Sequence, residues 1–471
     1  MKNGTARCRL TVIICLCAIF TYCGGTAVRA DDDADFAAAI QETGEGYLTL
    51  QAAVDVVGDH ETILLLKDVT ENIISEGRSY TLDMQEHTLS GGGNGSVYRV
   101  TDGRVTLKNG TLTGGYLPDT SDDDANRGGG LYMGGTAHVT LEGVAIAANY
   151  ARDGGGVAVA GGDLTVIDSD FLDNYAYADG GGIWTSSPDS VISLEGNIRF
   201  LGSSAPGAAA MYICCTLRAE GCEFSANNGD ASDGNSAVFY FSGNGTRTFT
   251  NCGITDNYSV RYTVCLADAG TTVFENCLIS RNKAALTGGI YQGDGFVRLK
   301  NTVIRDNEAG ADDAGAGGVY LAALATDGSG FIWESGAIYG NKSGSGADDL
   351  YIAAQEYGKF FIPAASDMED GDVDFTNYEW RDPDGASLSA EELSVSVETS
   401  LSLTAYDPTL DGGADAGAGE PDVAENNTIN GERILLWIVV SALILLGVVT
   451  GAYLLISRWE KVRLKQQQGA K

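Results

Sequence analysis

Val273-Phe274-Glu275-Asn276-Cys277-Leu278-Ile279-Ser280-Arg281-Asn282 is followed by a near copy, Val297-Arg298-Leu299-Lys300-Asn301-Thr302-Val303-Ile304-Arg305-Asp306-Asn307. The closing Asn residues of the two stretches stand 25 positions apart. Short apolar/polar alternation built on β-branched and aromatic residues argues for strands, not helices. Working outward, the ending apolar-x-x-Asn recurs at Ile146–Asn149, Phe171–Asn174, Phe224–Asn227, Ile254–Asn257, Ile279–Asn282, Ile304–Asn307 and Ile338–Asn341. The Asn-to-Asn steps are 25, 53, 30, 25, 25 and 34 residues, and the longest contains a degenerate copy, Phe200-Leu201-Gly202-Ser203. Between most copies a Gly run precedes an apolar residue: Gly155-Gly156-Val157, Gly181-Gly182-Ile183, Gly288-Gly289-Ile290 and Gly317-Gly318-Val319. A repeat of this length signals a solenoid. With 64 Gly and 7 Pro in 471 residues, a helical solenoid is a poor fit.

The pattern therefore predicts an all-β fold, a right-handed parallel β-helix over residues 80–359. Equivalent residues of successive rungs would sit above one another at strand spacing, so about ten rungs would extend on the order of 50 Å. Asn149, Asn174, Asn227, Asn257, Asn282, Asn307 and Asn341 would form an inward ladder of amides bonded along the axis. The Gly pairs would let the chain turn tightly, and the many small residues imply a close-packed interior. Residues 31–79 read as an N-terminal cap, with Thr49 capping a short helix over Leu50–Val57 and a strand over Thr62–Leu66. The first rungs are expected at Tyr80–Leu89 and Val97–Leu112, and residues 360–406 as a strand-rich C-terminal cap.

Over roughly residues 80–350, the Gly-Gly-apolar and Phe/Ile-x-x-Asn tetrapeptides resemble those of the chlamydial polymorphic membrane protein family and of repeat-rich bacterial β-helix surface proteins. The resemblance implies an adhesin-like solenoid of the pectate-lyase-like type, a fold that also carries polysaccharide lyases and hydrolases. This chain departs from the chlamydial family by ending in a single apolar segment where that family has a membrane β-barrel. Only the passenger-like solenoid is carried over.

The ends of the chain set an expected topology. Residues 1–30 read as a secretory signal, with Lys2, Arg7 and Arg9 before the apolar Leu10–Phe20 and small residues at Val28-Arg29-Ala30. Ile434–Ile456 carries no charge over 23 residues, enough for one transmembrane helix, with Trp437, Tyr453 and Trp459 near its ends. Arg458, Lys461, Arg463, Lys465 and Lys471 then place residues 457–471 in the cytoplasm and the solenoid outside. Residues 407–433, rich in Asp, Glu, Gly, Ala and Asn, read as an acidic flexible stalk. The lipid bilayer is thus the first expected partner, through residues 434–456.

A net charge of −35 excludes nucleic acid as a partner. Acidic turns offer candidate Ca²⁺ ligands at Asp122, Asp123 and Asp124, at Asp312 and Asp313, and at Asp348-Asp349, although solvated turns are the simpler reading. Cys222, Cys252 and Cys277 each stand five residues before a repeat Asn. They are expected to stack on neighbouring rungs, either as buried thiols or as a rung-to-rung disulfide.

No catalytic constellation is legible. His60, His87 and His138 lack a following Gly, and no G-x-S-x-G, H-E-x-x-H or Walker pattern occurs. Arg281 and Arg305 occupy one repeat slot and read as a solvated face. Aromatic residues carry more weight. Tyr150, Tyr175 and Tyr258 follow repeat Asn residues, and Tyr132, Trp184, Tyr212, Tyr240, Tyr291 and Tyr320 follow the Gly runs. Tyr150, Tyr175, Trp184, Tyr258, Tyr291 and Tyr320 are the candidate ligand-binding residues for a polysaccharide or a surface protein, in competition with a plain packing role. The reading is a membrane-anchored extracellular surface protein without catalysis, with a polysaccharide lyase or hydrolase as the alternative. An acidic cluster with an Arg on adjacent rungs would favour the enzyme; an even aromatic stripe would favour the binding module.

Overall fold

The computed structural model of the protein describes residues 35–118, 124–229, 236–268, 270–310, 315–322, 330–344, 348–353, 362–371, 373–388 and 401–409. Two compact units divide the chain at residue 410, and the described residues all lie in the first. The expected signal, membrane span and basic tail fall outside the described residues, as do Asp122, Asp123, Asp312 and Asp313. Among the described residues no helix is long and apolar enough to cross a membrane.

The described residues form a parallel β-helix with three sheets. Each rung supplies one strand to a second sheet, two short strands on either side of a bend to a first sheet, and a two-residue strand to a third. In one rung these are Val157–Val159, Asp163–Ile167 with Asp170–Leu172, and Tyr175–Ala176. The next rung repeats them in register: Val157 pairs with Ile183, Leu164 with Ile192, Phe171 with Phe200 and Tyr175 with Ser204. Parallel pairing begins as early as Thr62, which pairs with Thr81, so the residues read as cap already include a partial rung. Thr49 caps the helix Leu50–Val56 by accepting from the Ala52 N–H at 3.2 Å. At the far end, Leu401–Tyr406 runs antiparallel to Leu350–Ile352 and closes the run of parallel strands, with Glu379–Arg381 pairing beyond it. That closure protects an edge that would otherwise offer free backbone groups.

The interior is a stack of apolar side chains. The first residue of each repeat motif is fully buried, and Phe171, Phe200 and Phe224 stack at 4.3 and 4.9 Å between ring centres. The Gly pairs are required by close approach of rungs: a Cβ on Gly156 would lie 2.6 Å from the Gly182 carbonyl oxygen.

The Asn ladder forms with a distinct division of labour. Apart from Asn174, which is followed on the next rung by Ser203, each Asn points inward and donates its N–H and amide Nδ2 to an Oδ1 of the next rung, as Asn257 does to Asn282 at 3.0 and 2.9 Å. Its Nδ2 also donates back to the previous rung, to the Phe224 carbonyl at 2.9 Å. A left-handed residue falls just before the Asn. Ala148, Asp173, Ala226, Asp256, Arg281 and Asp306 have φ between 51° and 58°. The tight turn needs one residue in that region, and taking it just before the Asn leaves the Asn free to aim its side chain into the coil.

Ser203 interrupts the ladder. Its N–H donates to Asn227 Oδ1 at 3.1 Å, but its buried hydroxyl has no partner. Ser203→Asn is therefore expected to raise stability by about 1 kcal/mol by joining the two halves of the ladder. The midpoint of chemical denaturation checks this, and a lower midpoint would show that the site cannot accept the amide.

The three stacked cysteines are unpaired thiols. They line the bend of the first sheet, each donating to the carbonyl two residues back: Cys222 to Glu220 at 3.6 Å, Cys252 to Thr250 at 3.3 Å and Cys277 to Glu275 at 3.3 Å. Ser169 and Thr302 make the same bond from the same row. The thiols thus do the work of hydroxyls in a bend ladder.

Candidate binding site on the second sheet

Alternation on the second sheet turns one residue of every strand outward. In register these are Arg99, Tyr132, Ala158, Trp184, Tyr212, Tyr240, Cys265, Tyr291, Tyr320 and Tyr351. Neighbouring rings of this row touch: Tyr212 stacks on Tyr240 at 5.4 Å, and tilted contacts join Tyr291 to Tyr320 at 5.1 Å and Tyr320 to Tyr351 at 4.7 Å, with Tyr262, from outside the row, against Tyr291 at 4.4 Å. Rings stacked along the axis spend their faces on each other and present edges and hydroxyls outward. At the other end Arg99 lies over the Tyr132 ring at 3.8 Å and Arg127 over Trp184 at 4.4 Å, leaving Trp184 only 7% exposed.

The six aromatic residues singled out from the sequence do not form one site. Trp184, Tyr291 and Tyr320 belong to this row. Tyr150 and Tyr175 lie on the third sheet, stacked at 4.4 Å and flanked by Tyr116 and Tyr177. Tyr258 is also on the third sheet, three rungs beyond Tyr175, with 53% of its surface exposed.

Beside Trp184 the row opens into a cleft of about 370 Å³ lined by Arg127, Arg152, Asp153, Asp179, Trp184, Thr185, Ser186, Tyr212 and Cys214. Arg127, Asp153 and Asp179 hold the same position on three successive rungs, just before a triple Gly. Asp153 is 1% exposed and accepts from Arg127 Nε at 3.1 Å and from Arg152. Arg127 also pairs with Asp124, so this candidate Ca²⁺ ligand is engaged by a guanidinium. Asp179 is half-buried and makes no hydrogen bond or ion pair with another side chain among the described residues. Burial, reinforced by the charge of Asp153, pushes its carboxyl up to about 6, with Arg152 opposing. Cys214 forms the floor, its N–H donating to Thr185 Oγ1 at 2.9 Å. It is the one cysteine among the described residues that is not buried.

A larger cleft of about 870 Å³ lies on the bend of the first sheet, walled by Asn251, Asn276, Asn301, residues 368–371 and Val373. Its walls mix amides with apolar and acidic side chains but carry no aromatic ring, and Arg305 in it is paired with Asp306 and Asp370. The smaller cleft is the better candidate because aromatic, cationic and unpaired acidic groups converge there. Sequence reading passed over Arg127, Arg152, Asp153 and Asp179. Their signal was the residue before Gly-Gly-Gly in consecutive repeats. Among the described residues no cluster of three or more acidic, His or Cys side chains is arranged to hold a metal ion.

The right handed beta helix region model matches residues 72–244 and, overlapping, 204–345, more than half of the chain. The chain belongs to the right handed beta helix region family. No curated protein and no solved structure matches it. Membership accounts for the ladder, the Gly turns and the rung register of this β-helix; the cleft at residues 127–214 is a feature of its own side chains.

Proposed function

We propose that this β-helix is a membrane-anchored extracellular surface protein that binds a glycan across its second sheet, without catalysing a reaction. The observation that carries the reading is the aromatic row opening into the cleft beside Trp184 and Tyr212. A wall of rings with a few polar groups converging on it is the usual make-up of a small-molecule site. The uncharged stretch 434–456 and its basic flank support display from a membrane.

A second reading, glycoside cleavage, draws on Asp153 and Asp179, two carboxyl groups on adjacent rungs beside two arginines. Hydrolysis by an acid–base or acid–nucleophile pair needs both groups to reach the substrate. Asp153, 1% exposed and held by both guanidinium groups, does not meet that need. This favours binding over cleavage.

The test incubates the full chain in lipid nanodiscs with neutral, amino and acidic polysaccharides, scoring retention and newly released chain ends. Retention without new ends is the expected result. New reducing or unsaturated ends would replace the binding reading by the enzymatic one, and neither binding nor cleavage would defeat both.

A further inference from the structure

We propose that the cleft bounded by Asp179, Trp184 and Tyr212 is a subsite for a single uncharged sugar residue, with Asp179 accepting from a pair of its hydroxyls. This rests on the glycan-binding reading and names where that binding is decided.

Three observations converge. First, two aromatic residues on adjacent rungs, Trp184 and Tyr212, line the cleft. Tyr212 stacks on Tyr240 on one side, and among the described residues no ring stacks on it from the Trp184 side. Tyr212 packs beside the Trp184 cluster and lines the cleft, so a ligand seated there is within reach of its ring. Second, Asp179 is a half-buried carboxyl without a side-chain partner. A carboxylate so placed gains most from an incoming donor, because its desolvation is already borne by the fold. The nearby guanidinium groups of Arg127 and Arg152 are engaged by Asp153. Third, the size and polarity fit one sugar ring. The volume of about 370 Å³ lies at the small end of ligand sites. Thr185 and Ser186 place further hydroxyls on the rim.

Charge selects the class of sugar. Arg127 and Arg152 are balanced by Asp124, Asp153 and Asp179, and the protein around them is strongly acidic. A uronate would meet Asp179 and this field without a guanidinium left to receive it. A neutral ring supplies hydroxyl donors to Asp179 and a C–H face to Tyr212 at no such cost.

The experiment uses the full chain in nanodiscs, with cellohexaose, mannohexaose and N-acetylchitohexaose as neutral probes and hexagalacturonate as the charged one. Binding is read by calorimetry. Cys214 alkylation, located by peptide mass, reports occupancy of the cleft floor. At least one neutral probe is expected to bind and to slow alkylation of Cys214. Asp179→Asn and Asp179→Ala are expected to weaken that binding about tenfold or more while leaving the melting temperature equal or higher, since a hydrogen bond to a charged group is lost but an unpaired buried carboxyl is removed. Ile332→Ala, exposed on the first sheet, is expected to leave Cys214 protection intact. If a neutral probe binds but neither Asp179 variant weakens it and Cys214 stays reactive, the subsite is wrong while glycan binding stands. If hexagalacturonate binds as well as the neutral probes, the charge argument and the proposal fall. If no glycan binds, the functional reading itself fails.

Discussion

Asn257→Ala lowers the stability of the β-helix by about 3 kcal/mol, measured as the shift in chemical denaturation at neutral pH. Asn257 sits within the unbroken half of the ladder and is 2% exposed. Its Oδ1 accepts from Asn227 N–H at 3.0 Å and from Asn227 Nδ2 at 2.9 Å. Its own Nδ2 satisfies the Phe224 carbonyl and Asn282 Oδ1, both at 2.9 Å. Alanine keeps the backbone N–H but deletes every one of these side-chain bonds. The Asn227 N–H is then buried without an acceptor, and each such orphan costs about 1–3 kcal/mol. The half-buried Ser225→Ala on the preceding rung is the control and should stay within about 0.5 kcal/mol of the parent. A loss below 1 kcal/mol in Asn257→Ala would mean that the ladder is filled by water and does not carry the fold.

Asp349 gives the solenoid a pH-dependent end. It is fully buried, and its Oδ1 accepts from Asn341 N–H at 3.0 Å and from Asn341 Nδ2 at 2.8 Å. Its Oδ2 accepts from Ala405 N–H at 2.8 Å. The side chain thus supplies the acceptor that the last ladder Asn would otherwise lack, and ties it to the closing strand Leu401–Tyr406. Burial pushes its carboxyl up to about 7, against the pull of those hydrogen bonds and with the charge of Asp348 adding to the rise. An acid whose pKa is higher in the folded than in the unfolded chain binds more protons when folded. Below the ordinary carboxylate range both states are protonated and nothing changes. From there up to about pH 7 the unfolded chain has lost the proton while the folded chain holds it, so stability falls as pH rises, by up to roughly 4 kcal/mol in all. Above that the contribution levels off. Asp349→Asn is expected to shift the whole curve and to remove this slope relative to the parent. Parallel melting curves for the two proteins between pH 4 and pH 8 would refute the assignment.

Asp349 also shows where reading the chain stops. Beside Asp348 it looked like a turn acid and a candidate cation ligand, because two adjacent carboxylates before a strand are usually solvated. Its burial depends on Leu401–Tyr406 returning to the second sheet some fifty residues later. Nothing within a repeat encodes that return. The ladder Asn residues, by contrast, were legible one by one, because stacking in register forces the same residue to meet the same demand on every rung. The cysteines were legible in position but not in role. Their common task with Ser169 and Thr302 is visible only when the bend carbonyls are in place. The aromatic candidates were read as ligand-binding or packing residues, and the register brings most of them against other rings and divides them between two sheets.

What the sequence alone determined is the periodic part of the protein. The strand alternation, the Asn at each turn and the Gly pairs follow from local backbone and side-chain chemistry repeated every 25 or so residues, so they can be read without a structure. The tertiary structure decided what breaks the period. Among the described residues Asp179 is left without a side-chain partner while Asp153 takes both arginines, Trp184 and Tyr212 line one cleft, and Asp349 ends the ladder. Each depends on which neighbours the stacked rungs and the closing strand bring within a few ångströms, and those distances are set by packing across many residues, not by spacing along the chain.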